Sequence, residues 1–234
     1  MKTLLAPALV LSLATASQAP AALPPGWPAY ASAVVAADGS GQFRSLQDAI
    51  AAAPSGRLGR PWIIHIRPGT YRERLYVQRE KRFLALVGES AGGHLVADAA
   101  VRMTGDTRVV AVVPFFAPVD LESDTDRRGG LSVSMRALFG RTELDEAARQ
   151  ALRDGSPIRR VHRGLPPFLL VHGTADMSVL YEQSVRMQKA LHDASVTCDL
   201  ITVPDGTHGT REWDERLPGY ADQVVAWLVE RIGR

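Results

Sequence analysis

An α/β fold, with a mostly parallel sheet and flanking helices, is predicted for this chain by three observations. From Phe83 onward, short apolar runs alternate with helix-compatible runs, the order expected when strands are joined by helical crossovers. The run 109–116 lacks polar alternation, as a strand buried on both faces of a parallel sheet should. Gly88-Glu89-Ser90-Ala91-Gly92 lies between an apolar run and a helix-compatible run, the sequence form of a sharp strand-to-helix turn that exposes a serine.

Each element has its own local reason. A short strand is expected at 34–36, followed by the turn Asp38-Gly39-Ser40-Gly41. Residues 45–53 read as a helix with Leu46, Ala49, Ile50 and Ala53 on one face, stopped by Pro54-Ser55-Gly56. Strands are expected at 62–66, ended by Pro68-Gly69, at 75–78, and at 83–87 leading into the serine turn. A helix over 93–103 precedes the strand 109–116. Residues 120–165 are polar and read as loop-rich, with one helix over 143–153. The strand 168–172, the helix 181–194, the strand 196–203 and a terminal helix over 219–231 complete the alternation.

Composition narrows the function classes. The 234 residues are 46% apolar and 22% charged, ordinary values for a globular chain. The 27 basic and 25 acidic residues are interspersed and leave a net charge of +2, with no polybasic block, so a nucleic-acid partner is not expected. Cys198 is the only cysteine, which excludes an intrachain disulfide, and neither a C-x-x-C pair nor an H-E-x-x-H motif supports zinc. No cofactor is implied. Residues 1–22 read as a signal peptide: Lys2, an apolar stretch from Leu4 to Ala16 too short to span a bilayer comfortably, and small residues up to Ala19 and Ala22. Residues 23–32, with Pro24-Pro25-Gly26-Trp27-Pro28, read as an extended linker. Export to the periplasm or medium is the expectation, without stable membrane association once the signal is removed.

A serine hydroxyl needs a base to take its proton and an acid to orient that base. The downstream half supplies both in the order Ser, Asp, His. Asp176 follows the strand 168–172 in His172-Gly173-Thr174-Ala175-Asp176. His208 follows the strand 196–203 in Pro204-Asp205-Gly206-Thr207-His208-Gly209. Ser90, Asp176 and His208 thus all fall at the carboxyl ends of strands, where open α/β sheets bind their ligands. The Ala91 N–H, at the start of the following helix, is the expected oxyanion donor. Asp205 is a rival acid, ranked lower because it shares the histidine's own loop. Asp120 either borders the pocket or caps a helix, and His65, His94, His162, His172 and His192 read as structural or surface groups.

Residues 88–234 resemble the esterase/lipase branch of the α/β-hydrolase superfamily, including feruloyl- and acetyl-esterase-like secreted enzymes. The likeness rests on Gly88-Glu89-Ser90-Ala91-Gly92-Gly93-His94-Leu95, on Pro166 to Asp176 with Tyr181-Glu182-Gln183-Ser184, and on Gly206-Thr207-His208-Gly209. It implies Ser90 as nucleophile, Asp176 as acid and His208 as general base. Residues 33–87 resemble the start of pectin methylesterases, through Val34 to Phe43, Leu46-Gln47-Asp48-Ala49-Ile50 and Ile64 to Glu73. None of that family's catalytic motifs follows. The chain therefore looks like a junction of two esterase families meeting within 86–90, with the hydrolase's first strands incomplete or replaced. The resemblance also implies a His-Gly-Gly loop that this chain lacks. The strand 62–66 in its place would bring the Gly69 N–H near Ser90, while Pro68 has no N–H to give. A secreted serine carboxylesterase acting on short acyl or plant cell-wall polysaccharide esters is the resulting expectation. A weak or inactive fusion product with residual carbohydrate binding is its rival.

Overall fold

The computed structural model describes residues 32–54, 62–67, 71–73, 84–103 and 109–232. Among them six strands form one sheet: β1 (Ala33–Val35), β2 (Trp62–Ile66), β3 (Leu84–Glu89), β4 (Val109–Phe115), β5 (Phe168–Gly173) and β6 (Cys198–Val203). They lie side by side in chain order, and every pairing is parallel. The strand 62–66 pairs with β3 from Trp62↔Leu84 to Ile66↔Gly88, so the segment before the serine turn continues the sheet. The expected signal peptide and linker before Ser32, the strand 75–78, and Gly69 lie outside the described residues.

A sheet laid down in one direction by right-handed crossovers carries its crossover helices on one face. The cores divide that way. Helices α1 (Leu46–Ala52), α2 (Ala91–Arg102) and α6 (Glu182–Asp193) give Leu46, Ala49, Ile50, Val96, Ala97, Ala100, Met187 and Leu191 to a cluster with Ile64, Ile66, Leu86, Val112, Phe168 and Leu170. On the opposite face, Trp213 of α7 (Trp213–Arg216) and Tyr220, Val224 and Leu228 of α8 (Tyr220–Ile232) pack on Ala85, Val87, Ala111, Val113, Leu169 and Val171. Alternate residues of β4 therefore enter opposite cores, as its unbroken apolar sequence requires.

The connection from β4 to β5 departs from the loop-rich reading. It holds α3 (Leu121–Arg128), α4 (Val133–Phe139), α5 (Glu146–Asp154) and a 3₁₀ turn at Pro157–Arg160, around the small core of Leu121, Leu131, Ala148 and Leu152. Caps explain what the apolar pattern hides. Asp120, Ser132 and Asp145 accept hydrogen bonds from the backbone N–H of Ser123, Met135 and Ala148, and Gly129 and Gly140 end α3 and α4 with positive φ. Asp120 is thus a helix cap.

The N-terminal segment is tied together by side chains. The Glu73 carboxylate accepts from Ser45 Oγ (2.7 Å), Leu46 N (2.8 Å) and Gln47 N (2.9 Å) at the start of α1. Burial pushes this carboxyl up, but those three hydrogen bonds outweigh it and hold it below its ordinary value. The Tyr71 hydroxyl accepts from Ala37 N at 3.1 Å and lies 3.0 Å from the Arg67 carbonyl oxygen.

Candidate active site

Ser90 sits between β3 and α2 with φ 51 and ψ −118, a conformation rare for any residue with a side chain. The surroundings hold it there. Its N–H donates to the Phe115 carbonyl oxygen at 3.0 Å, and its own carbonyl accepts from His94 N at 2.9 Å. The turn closes only because its flanks are glycines. A Cβ on Gly88 would stand 2.3 Å from the Gly92 carbonyl oxygen, and one on Gly92 would stand 2.1 Å from that of Ile66. His94 Nδ1 donates to the Pro118 carbonyl oxygen (2.8 Å), which ties α2 to the end of β4.

Asp176 and His208 come from adjacent loops after β5 and β6. The two loops touch backbone to backbone: Ala175 N donates to Gly206 O at 3.0 Å, and Thr174 N to Val203 O at 3.0 Å. A Cβ on Gly173 would lie 2.1 Å from Gly206 O, so this approach also requires glycine. His208 Nδ1 lies 2.7 Å from Asp176 Oδ2, and His208 Nε2 lies 3.0 Å from Ser90 Oγ. The carboxylate can only accept, so Nδ1 carries the proton and Nε2 is left to accept from the serine hydroxyl. Asp205 is an exposed turn residue with φ 52, and its N–H donates to Thr174 Oγ1.

Burial raises the Asp176 carboxyl, but hydrogen bonds from His172, His208 and the Val179 N–H outweigh that and hold it well below the carboxylate range. It remains an ionised acceptor facing His208. Burial has the opposite outcome at Glu89, the residue before the serine, whose carboxyl is pushed up to about 7 against the opposing pull of Arg67 and His208. Glu89 Oε1 is buried without a hydrogen-bond partner and lies 3.8 Å from His65 Nε2. Burial and the neighbouring Arg67 charge lower the His65 imidazole to about 4.

Ala91 is exposed and opens α2, where its N–H has no acceptor within the helix. Anion binding at such a position is the ordinary behaviour of a helix start. A partner for it from Gly69 lies outside the described residues.

Four supporting residues escape a sequence reading. Phe116, with φ 35, places its ring edge-on to His208 at a centroid distance of 4.8 Å. Trp213 packs on Phe115 and Phe116, and its Nε1–H donates to the Thr207 carbonyl oxygen at 3.0 Å, bracing the histidine loop from below. His172, read as structural or surface, stands behind Asp176, and Ser184 stands behind His172. The only hint in the sequence is that His172 and Asp176 flank one short turn.

A parallel sheet with helices on both faces, and a serine, a histidine and a carboxylate in one line at its carboxyl edge, define an α/β-hydrolase. The prolyl oligopeptidase family matches residues 71–234, and the chain belongs to that family of serine hydrolases. Esterase LipC of Mycobacterium tuberculosis is 30% identical over 169 residues, covering 66% of this chain and 41% of that protein. A probable pectinesterase/pectinesterase inhibitor of Arabidopsis thaliana is 39% identical over 69 residues, 30% of this chain and 12% of that protein. The solved structure of a truncated carbohydrate esterase from gut microbiota superposes with a TM-score of 0.54 at 27% identity, over 65% of this chain and 60% of that one. The chain thus spans less than half the length of LipC. Among the described residues no helix is long and apolar enough to cross a membrane.

Proposed function

We propose that the chain is a secreted serine carboxylesterase for which Ser90, His208 and Asp176 form the catalytic triad. The observation that carries this reading is the unbroken line from Asp176 Oδ2 through His208 to Ser90 Oγ, at 2.7 Å and 3.0 Å. Ser90 Oγ attacks the ester carbonyl while its proton passes to His208 Nε2. Asp176 holds the imidazole through Nδ1 and stabilises the imidazolium. The Ala91 N–H donates to the oxyanion. His208 then protonates the leaving alcohol, and a water activated by the same imidazole hydrolyses the acyl-enzyme.

An ester suits this site better than an amide. Among the described residues one oxyanion donor is identified, the Ala91 N–H, and losing one donor typically costs roughly 10²–10³ in rate. An alkoxide leaves far more readily than an amine, so an ester asks less of the oxyanion donors than an amide does. The carbohydrate esterase likeness and the pectinesterase likeness both favour acyl or methyl esters of plant cell-wall polysaccharide, with residues 33–87 derived from a pectinesterase-like start. Hydrolysis of a short-chain nitrophenyl ester by the purified protein tests the reading. Turnover should be slow but saturable and should vanish in Ser90→Ala; equal rates from both would sink it.

The rival reading is a fusion product that binds carbohydrate with little or no turnover. The single oxyanion donor among the described residues favours it. Binding of xylan or pectin fragments without any nitrophenyl ester hydrolysis would select it.

A further inference from the structure

We infer that His172 and Ser184 are positioning residues that extend the triad by two members and fix the orientation of Asp176. This inference rests on the proposed triad. His172 is the penultimate residue of β5 and is fully buried, as is Asp176, while Ser184 is buried on α6. The His172 Nε2 atom lies 2.8 Å from the Val179 carbonyl oxygen and 3.4 Å from Asp176 Oδ2. Both are acceptors, so Nε2 carries a proton and shares it between them. In that tautomer Nδ1 is an acceptor, and the Ser184 hydroxyl, 2.8 Å away, donates to it.

The consequence is a closed set of constraints on the acid loop. Asp176 Oδ1 accepts from Ser178 N (2.8 Å) and Val179 N (2.9 Å), which folds residues 176–179 into a turn around the carboxylate. That turn alone leaves the carboxylate free to swing about the line from Oδ1. His172 removes the freedom twice, by holding the Val179 carbonyl and by facing Oδ2, the oxygen that His208 also engages. Ser184 in turn decides which nitrogen of His172 carries the proton. The side-chain chain therefore reads Ser184, His172, Asp176, His208, Ser90, running from α6 across the ends of β5 and β6 to β3. Its buried part, Ser184, His172 and Asp176, is a hydrogen-bonded polar line of the kind that specifies a single geometry, and each of these members is costly to remove.

Two substitutions separate this role from packing. His172→Phe keeps a buried ring and removes the donor. His172→Gln loses the ring but keeps an N–H at the reach of Nε2. Positioning predicts that kcat for a nitrophenyl ester falls roughly 10–100-fold in His172→Phe with KM little changed, and that His172→Gln recovers most of it. The low-field proton resonance of the His208 Nδ1–H bond should persist in wild type and His172→Gln and be lost in His172→Phe. Ser184→Ala should give a smaller loss of kcat in the same direction, and it decides the matter should His172→Phe fail to fold. An active His172→Phe with an intact resonance, or a loss confined to His172→Gln, overturns the inference. A wild type with no esterase activity but the same resonance pattern would defeat the triad's proposed reaction and leave the positioning role standing.

Discussion

The first turn of α2 rests directly on the backbone of β2: a Cβ on Gly92 would come within 2.1 Å of the Ile66 carbonyl oxygen and 2.9 Å of its carbon. The contact joins the serine turn to the segment that precedes it, so β2 is a wall of the site. Gly92→Ala should therefore cost about 3 kcal/mol, the upper end of overpacking penalties, because the obstacle is backbone and cannot rotate away. Urea unfolding would show the loss, and esterase activity should drop with it as Ser90 is displaced.

Trp213 offers a graded test of the histidine loop. It is fully buried against Phe115, Phe116 and Tyr220, so Trp213→Ala should destabilise by about 3–5 kcal/mol. Trp213→Phe keeps most of the contact and removes only the Nε1–H bond to the Thr207 carbonyl. A cost of about 1 kcal/mol is expected, with kcat falling more than stability because Thr207 adjoins His208. Thermal melts and initial rates on both variants check the order.

The Glu89–His65 pair gives stability a distinctive pH dependence. Glu89 goes from an ordinary 4.5 to about 7 on folding, so between those values the native chain keeps a proton that the unfolded chain releases, and stability falls as pH rises. His65 goes from 6.5 to about 4, so the unfolded chain binds a proton that the native chain refuses, and stability falls as pH drops through that window. The two slopes oppose each other between 4.5 and 6.5. Glu89→Gln should gain on wild type at pH 8, on the order of 3 kcal/mol at most, with the advantage gone at pH 4. His65→Gln should show its gain at pH 4 instead. Urea midpoints across pH 4–8 would reveal the crossing, and parallel curves would contradict the burial of the pair.

What the sequence made legible, and what it hid, follows from the range of the forces involved. The strand 62–66 appears with the expected bounds because five successive residues fit a strand set into a core. Ser90, Asp176 and His208 were readable because each follows its strand at short range, and the parallel sheet then brings the strand ends together. Helix α3 was hidden: Leu-Glu-Ser-Asp-Thr-Asp-Arg-Arg has no apolar stripe, and it stands on the Asp120 cap and on ion pairs of Asp124 with Arg127 (2.7 Å) and Arg128 (2.6 Å). Helix α4 was hidden because it buries no residue. His172 reads from the sequence only as a structural or surface group, because its partners, Val179 and Ser184, are set by how α6 docks and by no local pattern. The pairing of β2 with β3 was open for the same reason, since strand order is a property of the whole sheet.

Covalent trapping tests the central claim most directly. A fluorophosphonate forms a stable adduct only with a serine whose hydroxyl is activated by a working histidine. Incubation with the intact protein should add one phosphonyl group, mapped by peptide mass spectrometry to Ser90, and the reaction should fail in Ser90→Ala and slow by about 10³-fold or more in His208→Ala. An unmodified Ser90, or equal labelling of wild type and His208→Ala, would contradict the assignment of Ser90, His208 and Asp176 as a catalytic triad.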